Sequence, residues 1–71
     1  MKTYTVIVEK GPSSYGAYVP DLPGCVAAAE TKDEVLGLIR EAIVFHLEGL
    51  HQQHRRIPPR RTIATEVMVP A

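Results

Sequence analysis

The feature that most constrains this chain is that it carries one strong helix signal among several strand signals. Thr31-Lys32-Asp33-Glu34 has the form of a capping box, in which the threonine hydroxyl accepts from the third helical amide while the glutamate reaches back to the cap. Apolar residues then recur at helical spacing, which predicts a helix over about 32–50. A single helix cannot enclose its own apolar face, so the remaining segments must supply a sheet for it to cover. At about 100° per residue, Asp33, Gly37, Arg40, Glu41, Val44 and Glu48 gather near one line. Phe45, Leu38, Ala42, Val35, His46, Ile39, Leu50, Ile43, Leu36 and Leu47 fill an opposite arc of about 200°. Packing on one sheet requires a stripe of roughly 100°. The surplus predicts a homo-oligomer, with a symmetric dimer favoured and Phe45, His46, Leu47 and Leu50 as its interface.

The strands follow from period-two alternation. The segment 2–9 places Tyr4, Val6 and Val8 on one face and Thr3, Thr5 and Ile7 on the other, which predicts a first strand. Turn formers at Lys10-Gly11-Pro12-Ser13-Ser14 separate it from a second strand over 15–19. Pro20-Asp21-Leu22-Pro23-Gly24 stops that strand, because each proline removes a ladder donor and Pro-Gly favours a tight turn. Cys25 to Ala29 predicts a third strand, 51–61 a basic linker, and the alternation over 62–69 a fourth strand. A strand joined through a helix to another strand of one sheet makes a right-handed parallel crossover. The expected architecture is therefore a single α+β domain over 1–71, a two-layer sandwich of order βββαβ. Its sheet order is 3-2-1-4, with the helix on one face.

Composition narrows the function classes. Hydrophobic residues make up 45% and charged residues 23% of the chain, as in ordinary globular proteins, which excludes wholesale disorder. Eight basic and eight acidic side chains cancel, arguing against nucleic-acid binding by bulk charge alone. One cysteine, Cys25, excludes an intramolecular disulfide and fits a reducing compartment. No apolar run approaches the roughly 20 residues of a membrane helix, and no export signal is readable, so the expectation is a cytoplasmic protein with no membrane partner.

Several features together resemble the HicB-like antitoxin family. They are the β-branched opening strand, Tyr15-Gly16-Ala17-Tyr18, the run Val19-Pro20-Asp21-Leu22-Pro23-Gly24-Cys25, the Thr-x-x-Glu helix start and a proline before the last strand. The turn Pro20-Asp21-Leu22-Pro23-Gly24-Cys25 is the most specific part. The resemblance implies a partial ribonuclease-H-like fold, self-association, a bacterial or archaeal toxin–antitoxin system, and neutralisation of a small HicA-type toxin that cleaves messenger RNA. Family members often add a C-terminal DNA-binding domain. This chain stops at Ala71 without one, so DNA binding is not expected.

A nuclease would need carboxylates converging on two divalent ions about 4 Å apart, and none of Glu9, Asp21, Glu30, Asp33 and Glu34 falls inside a strand core. No catalytic residue and no enzymatic activity are expected. His46 lies in the apolar arc and His51 and His54 at the helix end, with no cysteine nearby to complete a tetrahedral site, so no metal and no cofactor are expected. Given the resemblance, Asp21, Glu30, Asp33 and Glu34 are candidates for docking a basic toxin, because acids opposite bases steer encounter. The alternative reading is a stand-alone oligomeric domain binding a small ligand or RNA. In it, Arg55, Arg56, Arg60 and Arg61 would grip phosphate through their guanidinium forks, whereas in a dimer the same arginines could instead pair with Glu41 or Glu48 of the other subunit without any RNA.

Overall fold

The computed structural model describes residues 2–70. Three strands, β1 (Ile7–Lys10), β2 (Tyr15–Tyr18) and β3 (Val26–Ala29), precede one helix, α1 (Lys32–Gln52). The strands form an antiparallel sheet in the order β1-β2-β3, with Val8 opposite Ala17 and Ala17 opposite Ala27. That register puts Val8, Ala17 and Ala27 on the face that α1 covers, joined by Tyr4, Val6 and Tyr15. Small alanines on β2 and β3 let the helix settle closely over those two strands, and its main contacts are there. The fully buried core is small: Ala17, Val19, Leu22, Cys25, Val35 and Ile39.

Leu22 shows why the proline-rich turn is more than a connector. Val19 and Leu22 close one turn, with the Leu22 amide donating to the Val19 carbonyl at 3.1 Å. Leu22 and Cys25 close the next, with the Cys25 amide donating to the Leu22 carbonyl at 3.1 Å. Pro23 pre-sets the backbone at the second position of this turn, and Gly24 supplies the positive φ of 84° that a type II turn needs at the third. The result folds Leu22 inward until its side chain is completely enclosed.

The capping box forms on Thr31 in altered detail. The Glu34 amide donates to Thr31 Oγ1 at 3.1 Å, whereas the Glu34 carboxylate accepts from the threonine hydroxyl at 3.0 Å instead of from an amide. The helix runs two residues beyond the expected end. The Arg55 amide donates to the Leu50 carbonyl and the His54 amide to the His51 carbonyl, the pattern of a Schellman cap. His54 occupies the left-handed position of that cap at φ 56°, where glycine is usual. His51 and His54 thus belong to a formed helix terminus and not to a frayed end.

Two expectations require correction. The first strand begins at Ile7 and not at Lys2, because Tyr18 is the last β2 residue to pair and Pro20 has no amide to continue the ladder. The fourth strand over 62–69 is not formed: these residues are irregular, and the sheet has only the order β1-β2-β3 where 3-2-1-4 was expected. A strand exists only as half of a pair, and beyond Thr62 this segment leaves the sheet. Ile63, Val67, Met68 and Val69 are each more than 70% exposed.

Candidate functional site

The best-defined polar arrangement in the molecule is the clamp on Asp21. Oδ2 accepts from the amides of Arg61 and Thr62 at 3.0 and 3.1 Å, and Oδ1 accepts from the Thr62 hydroxyl at 2.9 Å. The Thr62 amide, then the Arg61 amide, hold the Asp21 carboxyl below its ordinary value. Thr5 donates through its hydroxyl to the Thr62 carbonyl at 2.8 Å, and the Tyr4 hydroxyl donates to the Pro58 carbonyl at 2.7 Å. The segment 58–62 is therefore fastened to both the opening strand segment and the proline turn. Asp21 was grouped with the acids that could meet a partner, but its carboxylate is already engaged within the chain.

The other acidic candidates lie elsewhere. Asp21 sits where β3 begins, whereas Glu30, Asp33 and Glu34 sit where it ends and α1 starts, on the order of 15 Å away along the extended chain. Glu30, Asp33 and Glu34 are all exposed. From Glu34 the outer face of α1 continues through Leu38, Glu41, Phe45 and Glu48, which fall within about 80° of one another on the helix. Leu38 is 45% and Phe45 79% exposed, so this stripe alternates acids with accessible apolar side chains, and Arg40 borders it, sharing a shallow hollow with Glu41, Phe45 and Glu48.

The four candidates for self-association divide between two flanks of α1. Phe45, His46 and Leu50 border a shallow hollow with Gly49, Gln53 and Arg55. Leu47 faces the other way, into an apolar groove of about 530 Å³ between the helix and the segment that leads into β1. Tyr4 and Val6 form one wall of this groove, and Leu36, Ile43, Val44 and Leu47 form the other. Lys2 and Arg40 are the charged residues at its margin. The expectation for this flank was surplus apolar surface on the helix, without a groove. The groove's one sequence signal was the excess width of the apolar arc.

Arg55, Arg56, Arg60 and Arg61 are exposed, and Arg56 and Arg61 flank a depression beside Pro20, Asp21 and Pro23. Cys25 is buried, and burial pushes its thiol up, away from the reactive thiolate. Among the described residues no group of three or more histidine, cysteine or acidic side chains is placed to hold a metal ion. No helix of the described residues is long and apolar enough to cross a membrane.

Comparison with known proteins places this arrangement in a family. The family model described as the HicB_like antitoxin of bacterial toxin-antitoxin systems matches residues 4–71. A UPF0150 protein of the archaeon Thermoplasma acidophilum is 42% identical over 69 residues, covering 96% of this chain and 97% of its own length. A UPF0150 protein of Synechocystis is 38% identical over 56 residues, 78% of this chain and 71% of that protein. A 14.9 kDa protein from the rep-hol intergenic region of Haemophilus phage HP1 is 34% identical over 67 residues. That match takes in 94% of this chain but spans only 50% of the phage protein. On the family match and the Thermoplasma relative together, the chain belongs to the HicB-like antitoxin family of toxin–antitoxin systems.

Proposed function

We propose that the protein is a non-enzymatic antitoxin module that neutralises a small, basic, HicA-type ribonuclease toxin by docking it on the outer face of α1. The observation that carries the reading is the stripe Glu34, Leu38, Glu41, Phe45, Glu48 on a member of an antitoxin family. A protein that grips RNA presents cations, and the three acids along this stripe would attract it and orient it. Leu38 and Phe45 would supply the desolvated anchor that acids alone do not. Glu30 and Asp33 extend the acidic surface at the helix start. The partial ribonuclease-H-like fold belongs to the same reading and requires a fourth strand beside β1, in a slot that the single chain leaves open.

The test is genetic and then physical. Expression of a short basic reading frame adjacent to the gene should arrest growth, and co-expression of this chain should restore it. The double variant Glu41→Lys, Glu48→Lys should fail to restore growth while folding normally. Full rescue by that variant would remove the stripe from the interface, and a neighbouring product that neither arrests growth nor binds this chain would remove the antitoxin reading.

The exposed arginines favour a second reading, in which Arg55, Arg56, Arg60 and Arg61 bind RNA. Retardation of RNA that disappears when all four are changed to alanine would support it, and no retardation at low salt would dismiss it.

A further inference from the structure

The four arginines of the second reading lie on one short segment, and the fold separates them. Arg55 borders the hollow beside Phe45 and His46, and Arg60 lies with Lys2 and Tyr4. Arg56 and Arg61 share one depression of about 440 Å³, walled by Pro20, Pro23, Pro58 and Pro59. We infer that this depression and the sheet face next to it form a binding site for single-stranded RNA. Arg56 and Arg61 hold a phosphate, Tyr18 stacks on a base, and Asp21 is a positioning residue for the arginines. The inference rests on the RNA reading above and names its site.

The segment 51–61 contains neither an acid nor an aromatic residue, so alone it attracts RNA but has no ring to stack on a base. The sheet supplies the ring. Ala17 is buried toward α1 between Val8 and Ala27, so the alternation of β2 turns Tyr18 to the face away from the helix. There it stands in a row between Ile7 and Val26 and is 41% exposed. Gly16, two residues back on the same face, has no side chain to cover the ring. In the other direction the chain reaches Pro20, at the wall of the arginine depression, within about 7 Å. Glu9, opposite Gly16, marks the acidic end of this face and confines the site to the side of Tyr18 nearer the arginines.

An acid beside two arginines ordinarily weakens an anion site. Here the Asp21 carboxylate is engaged by the Arg61 amide and by the amide and hydroxyl of Thr62, so it fixes the backbone that carries Arg61. The Thr5 hydroxyl on the Thr62 carbonyl and the Tyr4 hydroxyl on the Pro58 carbonyl tether both ends of 58–62. Arg61 is thus presented from an ordered backbone, which lowers the entropic cost of binding.

Fluorescence anisotropy with a labelled single strand of about twelve nucleotides tests the site on the whole chain. A duplex of the same sequence should bind at least about tenfold more weakly, because its paired bases offer no face to stack on. Arg56→Ala with Arg61→Ala should weaken single-strand binding at least about tenfold, whereas Arg55→Ala with Arg60→Ala, which removes the same charge, should cost less than about threefold. Tyr18→Ala should cost about fivefold or more and Tyr18→Phe less than about twofold, since stacking needs the ring and not the hydroxyl. Asp21→Ala, checked for folding by circular dichroism, adds a positive charge and yet should weaken binding. It should also reduce the steepness of log affinity against log salt by about 0.7, the loss of one phosphate contact. Thr5→Val, which leaves the charge unchanged, should act in the same direction. Tighter binding by Asp21→Ala, equal losses from the two arginine pairs, duplex bound as well as single strand, or a Tyr18→Ala chain that binds like the wild type would each overturn this site and leave the four-arginine reading standing. No binding of single-stranded RNA at low salt would dismiss both.

Discussion

Truncating Leu22 to alanine should be among the most damaging single changes in this protein, although the residue lies in a surface turn. Its side chain is completely buried. Leucine-to-alanine changes at such sites cost about 2–5 kcal/mol, depending on how far the surroundings relax into the vacated space. Here relaxation is restricted. Pro20 and Pro23 bracket the residue, and hydrogen bonds from Leu22 to Val19 and from Cys25 to Leu22 pin the backbone on both sides. The upper part of the range, about 3–5 kcal/mol, is therefore expected. For a domain of 60–100 residues each kcal/mol moves the melting temperature by roughly 4–8 °C, so the loss should exceed about 12 °C. The assay is thermal unfolding followed by circular dichroism, at one fixed protein concentration because association adds to apparent stability. Val26→Ala, at a position 65% exposed, is the control and should change stability by no more than about 0.5 kcal/mol. A loss below about 1 kcal/mol for Leu22→Ala would refute the claim that the turn is pinned over a rigid core site.

Ile39→Ala, at a position 2% exposed, should cost about 2–5 kcal/mol in urea denaturation, whereas Ile43→Ala, on the open groove, should cost clearly less in the monomer; equal losses would contradict the placement of the groove. The Asp21 carboxyl is held below its ordinary value in the folded chain, so its contribution is complete above the unfolded carboxylate range near 4 and is lost as pH falls through the lower folded value. Asp21→Asn should accordingly flatten the acid limb of a stability-against-pH curve, and an unchanged limb would show that the clamp is not populated in solution. His54→Gly should raise stability by about 0.5–1 kcal/mol through relief of the left-handed histidine, and a loss of similar size would mean that the Schellman cap is not formed.

The parts of the fold that sequence disclosed were those set by local physics. Alternation at Tyr4, Val6 and Val8 correctly gave the face that meets the helix, and Thr31 gave the helix start, because both signals act within a few residues. The fourth strand was misread for the same reason. Alternation in 62–69 reports a segment able to pair but not the edge it pairs with, and in the single chain that edge is not reached. Asp21 was read as an exposed acid because its partners, Arg61 and Thr62, are 40 and 41 residues away, beyond any local pattern. Leu22 was read as part of a turn, although a lone leucine between two prolines was a signal that something apolar was being fixed inward. The width of the helical arc was informative in kind. The sheet covers its centre at Val35 and Ile39 and leaves Leu38 and Phe45 open on one flank and Leu36 and Val44 on the other.

Direct titration of the purified neighbouring basic protein into this chain measures the proposed interface most cleanly. Calorimetry should show a saturable complex that weakens as salt is raised, since in the proposed interface the acids of the α1 stripe would steer and hold a cationic partner. Replacing Glu41 and Glu48 by lysine should weaken it by at least about tenfold, equivalent to about 1.4 kcal/mol. Val67→Asp, at an exposed position outside the α1 stripe, should leave it within about twofold. Binding unchanged by the two lysines and insensitive to salt would contradict the account.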